Sequence, residues 1–443
     1  MDSRSLTHAR TVKGRTRRGS GLLLDLSPFR ASRAFGRLWL GNALGSVGQE
    51  MTVVTVALQV YAVTSSTLAV SLIAGIALAP IVVMGLYGGS LADRFDRRLV
   101  AMVASVISWL AIIVLAVHAW LGGTSLWVLY AAATVNSVAG TVGGITRRAI
   151  VPRLLPRELL PAAAALNGIN MGLMATVGPL LGAAAVGAGG FHVAYGLDVL
   201  LHTAAFLGVW SLPTLRPMSD PQTGVWRAVR EGLGYLRRAG NIRYALTIDL
   251  VAMTLAQPRV LFPALGAVTL GGGVTTVGVL SAASAAGAML SSLFSGWTGA
   301  VRRQGLAILV VTYIYAGAIL ASGTILMVAT VWHRDVEVNR LGIAALTAVL
   351  AVGGAADGVS AIFRGAILQA AVPDQLRGRV QSIFSIIVTG GPRVGDVVTG
   401  AVASVLAIWS PLVAGGAVML VVVWLLARRV PGFARYDAAD PQP

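Results

Sequence analysis

Along this chain, apolar residues run almost unbroken for about twenty positions at a time, and they do so in twelve stretches: 37–62, 67–90, 99–121, 125–146, 162–186, 191–212, 243–266, 274–296, 304–328, 341–363, 379–402 and 409–429. A helix rises ~1.5 Å per residue, so ~20 such residues cross the ~30 Å hydrocarbon core of a bilayer. Each stretch therefore predicts one transmembrane helix, and together they predict an all-α integral membrane protein. Polar positions gather in a tail over 1–36 and a connector over 213–242. The connector divides the spans into six over 37–212 and six over 243–429, followed by a second tail over 430–443. Within the connector, Trp226, Val229, Leu233 and Leu236 fall on one helical face, with Arg227, Arg230, Arg237 and Arg238 mostly on the others. That pattern predicts an amphipathic helix lying along the membrane surface.

The two sets of six echo each other. Arg147-Arg148-Ala149-Ile150-Val151, then Pro156-Arg157-Glu158-Leu159, lines up with Arg364-Gly365-Ala366-Ile367-Leu368, then Pro373-Asp374-Gln375-Leu376. Val177-Gly178-Pro179 has a counterpart in Gly390-Gly391-Pro392. A repeat unit with six spans keeps its orientation. The expected architecture is two six-helix bundles with a substrate site between them near the bilayer midplane.

Charge orients the helices. With 56% hydrophobic and 12% charged residues, a mean hydropathy of +0.78 and a net charge of +17, the arginines become topological markers. Arg94, Arg97, Arg98, Arg147, Arg148, Arg153, Arg157, Arg302, Arg303, Arg377, Arg379, Arg428, Arg429 and Arg435, with those of the connector, fall on one side of the spans. The opposite loops hold Arg334 and Arg340 beside Asp335 and Glu337. The positive-inside rule then puts both termini in the cytoplasm of a cell whose cytoplasmic (inner) membrane holds the protein. The first tail carries eight basic residues with few apolar ones, which predicts a disordered arm near anionic lipid. No aromatic interleaving or folded module marks it as a nucleic-acid arm. The first apolar stretch is too long for a cleavable signal peptide and lacks a small-residue cleavage site.

Composition also narrows the chemistry. Cysteine is absent, and His8, His118, His192, His202 and His333 are scattered without metal-ligand spacing, so neither thiol chemistry nor a metal site is expected. No GxxxxGK[ST] loop occurs, which excludes direct ATP hydrolysis as the driving force. No nucleophile, base and orienting group stand at recognisable spacing, so an enzyme is not expected.

Between the second and third stretches, Gly89-Ser90-Leu91-Ala92-Asp93-Arg94-Phe95-Asp96-Arg97-Arg98 packs five charges into six residues. Charges are costly in hydrocarbon, so this is a tight loop at a membrane face. There Asp93, Arg94, Arg97 and Arg98 can latch helix ends that Gly89 lets approach closely. The stretch resembles the signature loop of the major facilitator superfamily, with Asp96 where the family usually has glycine. Its counterpart in the second half, Gly296-Trp297-Thr298-Gly299-Ala300-Val301-Arg302-Arg303, keeps glycine and the arginines and lacks the aspartate. Gly172, Gly178, Pro179 and Gly182 resemble the superfamily's antiporter motif, and physically they make a close-packed, bendable helix. The stretches 364–369, 373–379 and 390–396, with Arg37-Leu38-Trp39-Leu40-Gly41 and Pro152-Arg153-Leu154-Leu155-Pro156-Arg157, are similar to the enterobactin exporter group. The resemblance implies the major facilitator fold and export coupled to inward proton movement, without a cofactor.

Ionisable groups inside spans are functional candidates by default, each against a structural hydrogen-bonding role. Glu50, ~20 Å along the first predicted span, suits a proton or substrate site, with Asn42 and Gln49 adding polar contacts. Arg393 and Asp396, three residues apart, are spaced to pair along one face, as a neutralised pair or as a gate. Asp357 and Arg364 share a face too loosely to pair directly, and Arg364 is placed to meet an anionic substrate or a partner-helix carboxylate. Asp249 and, deeper, Arg259 stand on the seventh span. Asp198 and His202, one turn apart, can form a titrating pair. The expectation is a monomeric secondary transporter in the bilayer, a proton-coupled exporter of a siderophore or drug-like small molecule working by alternating access. The alternatives are an uptake symporter of the same fold and a non-transporting scaffold or sensor holding a cytoplasmic partner.

Overall fold

The structure, a computed structural model, describes residues 25–215, 225–255, 257–332, 338–439 and 442. The long helices, in chain order, are α1 (Arg33–Thr64), α2 (Thr67–Arg94), α3 (Arg97–Trp120), α4 (Leu126–Leu154), α5 (Leu160–Gly189), α6 (Phe191–Trp210), α7 (Gly240–Leu255), α8 (Gly273–Leu293), α9 (Gln304–Trp332), α10 (Arg340–Ala371), α11 (Asp374–Val405) and α12 (Ser410–Arg429). Among the described residues, ten helical segments are long and apolar enough to cross a membrane. The remaining two long helices, α1 and α11, have 32 residues each. Their apolar runs are broken by Asn42, Gln49 and Glu50 in α1 and by Arg379, Arg393 and Asp396 in α11.

Capping sets the boundaries. Ser32 accepts from Phe35 N at 3.2 Å, so α1 begins at Arg33, ahead of the apolar stretch. Ser65, at φ 50°, turns the chain, and Ser66 accepts from Ala69 N at 3.3 Å to start α2. The charged stretch is mostly not a loop: α2 runs on to Arg94, leaving Phe95 and Asp96 as the connector. Asp96, at φ −56°, caps α3 by accepting from Arg98 N at 2.8 Å. Asp supplies a side-chain acceptor for this cap, which glycine cannot.

Within the first six helices, α1 packs on α5 and α6, α3 on α4 and α6, and α2 on α4. Within the last six, α8 and α9 pack on α10, and α7 and α9 pack on α12. The two sets meet where α5 packs on α8 and α2 on α11. Small residues permit these approaches: a Cβ on Gly41 would stand 3.2 Å from Gly208 Cα, and one on Gly278 would stand 2.7 Å from Ala183 Cβ.

The connector helix, Val225–Leu236, docks on α11. Glu231 pairs with Arg379 at 2.7 Å, and a Cβ on Gly232 would stand 2.7 Å from Ile383 Cδ1. It buries Gly232 and Leu236, whereas Leu233 is exposed. The face expected from hydropathy is thus rotated toward Gly232, because a residue without a side chain lets the helix backbone press on α11. The side chains of Trp226 and Arg227 lie outside the described residues, as do residues 1–24.

Candidate substrate and proton site

The site begins with a broken helix. α7 stops at Leu255, Gln257 has extended backbone, and a 3-10 turn resumes at Pro258–Leu261. Proline lacks an N–H and pushes the residue before it out of helical conformation, which explains the break. Non-helical backbone at membrane depth is tolerated where it lines a cavity. The turn projects Arg259, 44% exposed, toward Glu50 of α1, and the two form an ion pair between the first and last six helices.

That pair partitions two chambers. The first, about 330 Å3, lies among α1, α2, α4, α8, α11 and the turn, and carries Glu50, Arg259, Arg393 and Asp396 on otherwise mostly apolar walls. The second, about 390 Å3, lies among α5, α8, α9 and α10, and carries Glu50, Arg259, Asp357 and Tyr315. Glu50, Arg259, Phe262 and Ser281 line both.

Two expectations about pairing are corrected. Asp357 and Arg364 do pair: Arg364 Nη2 reaches Asp357 Oδ1 at 3.2 Å and Asp249 Oδ1 at 3.0 Å, while Nη1 donates to Ser360 Oγ at 3.0 Å. Among the described residues Arg393 and Asp396 do not form an ion pair and Asp396 Oδ1 has no hydrogen-bond partner; Arg393 Nη1 donates to Thr389 O at 2.7 Å. One cause explains both. Helical side chains tilt toward the N-terminus, so an arginine reaches back along its own helix, toward Asp357 in one case and away from Asp396 in the other.

Elsewhere the polar groups are stitched into packing. Asp198, fully buried on α6, accepts from Thr52 of α1 and lies 2.7 Å from His202 Nδ1, the neighbour its spacing suggests. Gln49 lies against Gly140 of α4, and Asn42 accepts from Arg147 at 3.3 Å.

Residues 24–442 match the family described as "Transmembrane secretion effector". The chain belongs to that family. Over 422 residues it is 27% identical to the enterobactin exporter EntS of Citrobacter koseri, covering 95% of this chain and 97% of that one. Over 421 residues it is 28% identical to the enterobactin exporter EntS of Salmonella typhimurium, again covering 95% and 97%. It shares its fold with the nucleoside transporter NupG, with a TM-score of 0.68 at 13% identity over 90% of this chain and 99% of that one. It is thus a multi-pass inner-membrane transporter of the major facilitator superfamily that moves a small molecule, and not an enzyme. Among the described residues no group of His, Cys, Asp and Glu could hold a metal ion.

Two of the motifs seen in this transporter's sequence act through backbone. Gly178 and Gly182 of α5 seat α1: a Cβ on Gly178 would stand 2.7 Å from Glu50 Cβ, and one on Gly182 would stand 2.9 Å from Met51 O. Pro179, between them, lines the second chamber. In the charged stretch, Arg97 Nη1 donates to Ala149 O at 2.9 Å and Arg98 Nη2 to Trp210 O at 2.8 Å, while Arg94 is exposed. Gly89 lies in the last turns of α2; its surroundings and the side chain of Asp93 lie outside the described residues. Arg147 makes part-buried polar contacts that reading for topology missed. It points inward to Asn42 and to Ser105 Oγ at 2.9 Å. Its alignment with Arg364 in the repeat was the available signal.

Proposed function

We propose that this transporter is a proton-coupled exporter of a siderophore or drug-like small molecule, alternating access by rocking of two six-helix bundles, with both termini cytoplasmic. The observation that carries this reading is the Glu50–Arg259 pair, which joins helices of opposite halves at the partition of two chambers. A proton on Glu50 removes its charge and releases Arg259, so protonation and the fit of the two halves are linked through one contact. The relatives' names, enterobactin exporters, support the direction and the siderophore class. Asp249, Asp357 and Asp396 stand as further proton sites, and the arginines of the charged stretch with Asp93 as the conformational latch. The protein works as a monomer in this reading.

The test is transport by purified protein in liposomes bearing a pH gradient, with catecholate siderophores and cationic drugs as cargo. One compound should move against the inward proton gradient. Glu50→Gln should abolish gradient-driven movement while leaving exchange of labelled for unlabelled cargo. Movement with the proton instead makes the protein an uptake symporter. No movement in either direction by folded protein favours a scaffold.

A further inference from the structure

Charge is unevenly spread over the two chambers. Around the larger one, Asp249 and Asp357 share a single guanidinium, that of Arg364, so among the described residues this cluster has one carboxylate more than it has cations. Asp249 is sealed, at 0% exposure, while the Asp357 side chain is 43% exposed, on a wall that also carries Ser284 and Tyr315. Around the smaller one, Arg393 has its own helix carbonyl as partner and no carboxylate in ion-pair contact among the described residues. Asp396 shares that wall, and its Oδ1 has no donor among the described residues. The pair between the chambers, Glu50 with Arg259, is matched. An exposed carboxylate in excess thus lies on one side of the partition, and a guanidinium without a carboxylate in contact lies on the other.

We propose that the cargo is dipolar: a cationic group such as an ammonium seats on Asp357 in the larger chamber, an anionic group such as a carboxylate seats on Arg393 in the smaller, and the body between them displaces the Glu50–Arg259 contact. The inference rests on the transport reading above and names the chemistry of the same site. Phe262 and Val277 supply apolar wall for the body. The cationic end gives exchange a physical basis, since an ammonium and a proton compete for the same carboxylate. A molecule with only one charge makes one of the two charge-assisted contacts, each worth about tenfold in affinity.

Three fluorescent probes on one dansyl body test this with full-length protein in nanodiscs. Nα-dansyl-lysine carries both charges, dansylcadaverine only the ammonium and 6-(dansylamino)hexanoate only the carboxylate. Nα-dansyl-lysine should bind about tenfold more tightly than either of the others. Asp357→Asn should bring it to the level of the hexanoate probe, and Arg393→Gln to that of dansylcadaverine. In the parent protein, acidification should weaken dansylcadaverine relative to the hexanoate probe, a readout that needs no variant. A proton on Asp357 removes the ammonium seat, whereas a proton on Glu50 or Asp396 only adds to the positive charge around Arg393. Asp249, Arg364 and Tyr315, with Glu50 and Arg259 across the same chamber, are the ionisable groups around Asp357 among the described residues. Equal affinity for all three, tightest binding of a singly charged probe, uniform weakening by both variants, or no binding of any probe to folded protein overturns the proposal. Gradient-driven flux without charge selectivity removes this inference and leaves the transport reading. Charge-selective binding without gradient-driven flux removes the transport reading instead.

Discussion

Arg364 shows what a single residue in a low-dielectric interior has to balance. Its guanidinium, almost fully buried, holds two carboxylates, and Asp249 has that guanidinium as its one ion-pair partner among the described residues. Removing one side of a buried pair leaves an uncompensated charge, at about 3–5 kcal/mol, whereas removing both sides is far milder. Arg364→Gln is expected to lower unfolding stability in detergent by that amount, and Arg364→Gln with Asp249→Asn to recover most of the loss. A single variant that melts with the parent would show that the cluster carries no charge. The candidates themselves were legible at this scale, because acids and arginines inside apolar runs stand out. Their partners were not. Spacing brings Arg393 and Asp396 to one face and leaves Asp357 and Arg364 slightly off it, and the backward tilt of helical side chains reverses both outcomes.

At the scale of elements, hydropathy located the ten helical segments among the described residues that are long and apolar enough to cross a membrane, because a run of about twenty apolar residues has few alternatives in a bilayer. It could not show the break in α7, since Gln257-Pro258 sits inside an otherwise continuous apolar stretch and proline is tolerated in many transmembrane helices. Nor could it show that the glycines of α5 serve α1. Gly178 presses on Glu50, and no side chain fits there without moving α1. Gly178→Ala is therefore expected to displace the Glu50–Arg259 contact and lower gradient-driven flux severalfold. Gly168→Ala, on the same helix with open space around it, should leave flux near parental. Equal flux for the two variants would separate the α1–α5 contact from transport.

The whole molecule repeats one device with its parts exchanged. After the sixth helix, the chain returns to the charged connector: Leu215 N donates to Asp96 at 3.2 Å, and Arg97 N donates to Leu215 O at 3.2 Å. After the twelfth, the tail returns to the second-half counterpart of that connector: Ala438 N donates to Arg302 O at 2.9 Å, and Arg302 Nη2 pairs with Asp437 at 2.9 Å. The acid lies in the connector in the first half and in the returning strap in the second. The tail thus supplies an aspartate that the second-half connector lacks, a substitution invisible to any comparison of the two connectors alone. Phe433 and Tyr436, both buried, anchor the strap against α9. The backbone N–H of Ala439, and then the Arg302 guanidinium, hold the Asp437 carboxyl below its ordinary value. A lowered folded-state value means that the contact contributes above the ordinary carboxylate range near pH 4 and is lost as pH falls through the lowered value. Amide exchange at Ala439, whose N–H donates to Asp437 Oδ1 at 2.9 Å, reads this directly. Protection at Ala439 should hold at neutral pH and fall on acidification below about pH 4. Asp437→Asn should remove that pH dependence while the protection of α9 persists, because Phe433 and Tyr436 still pack. Loss of protection along α9 in the same variant would instead make the ion pair, rather than the aromatic anchors, what holds the second half closed.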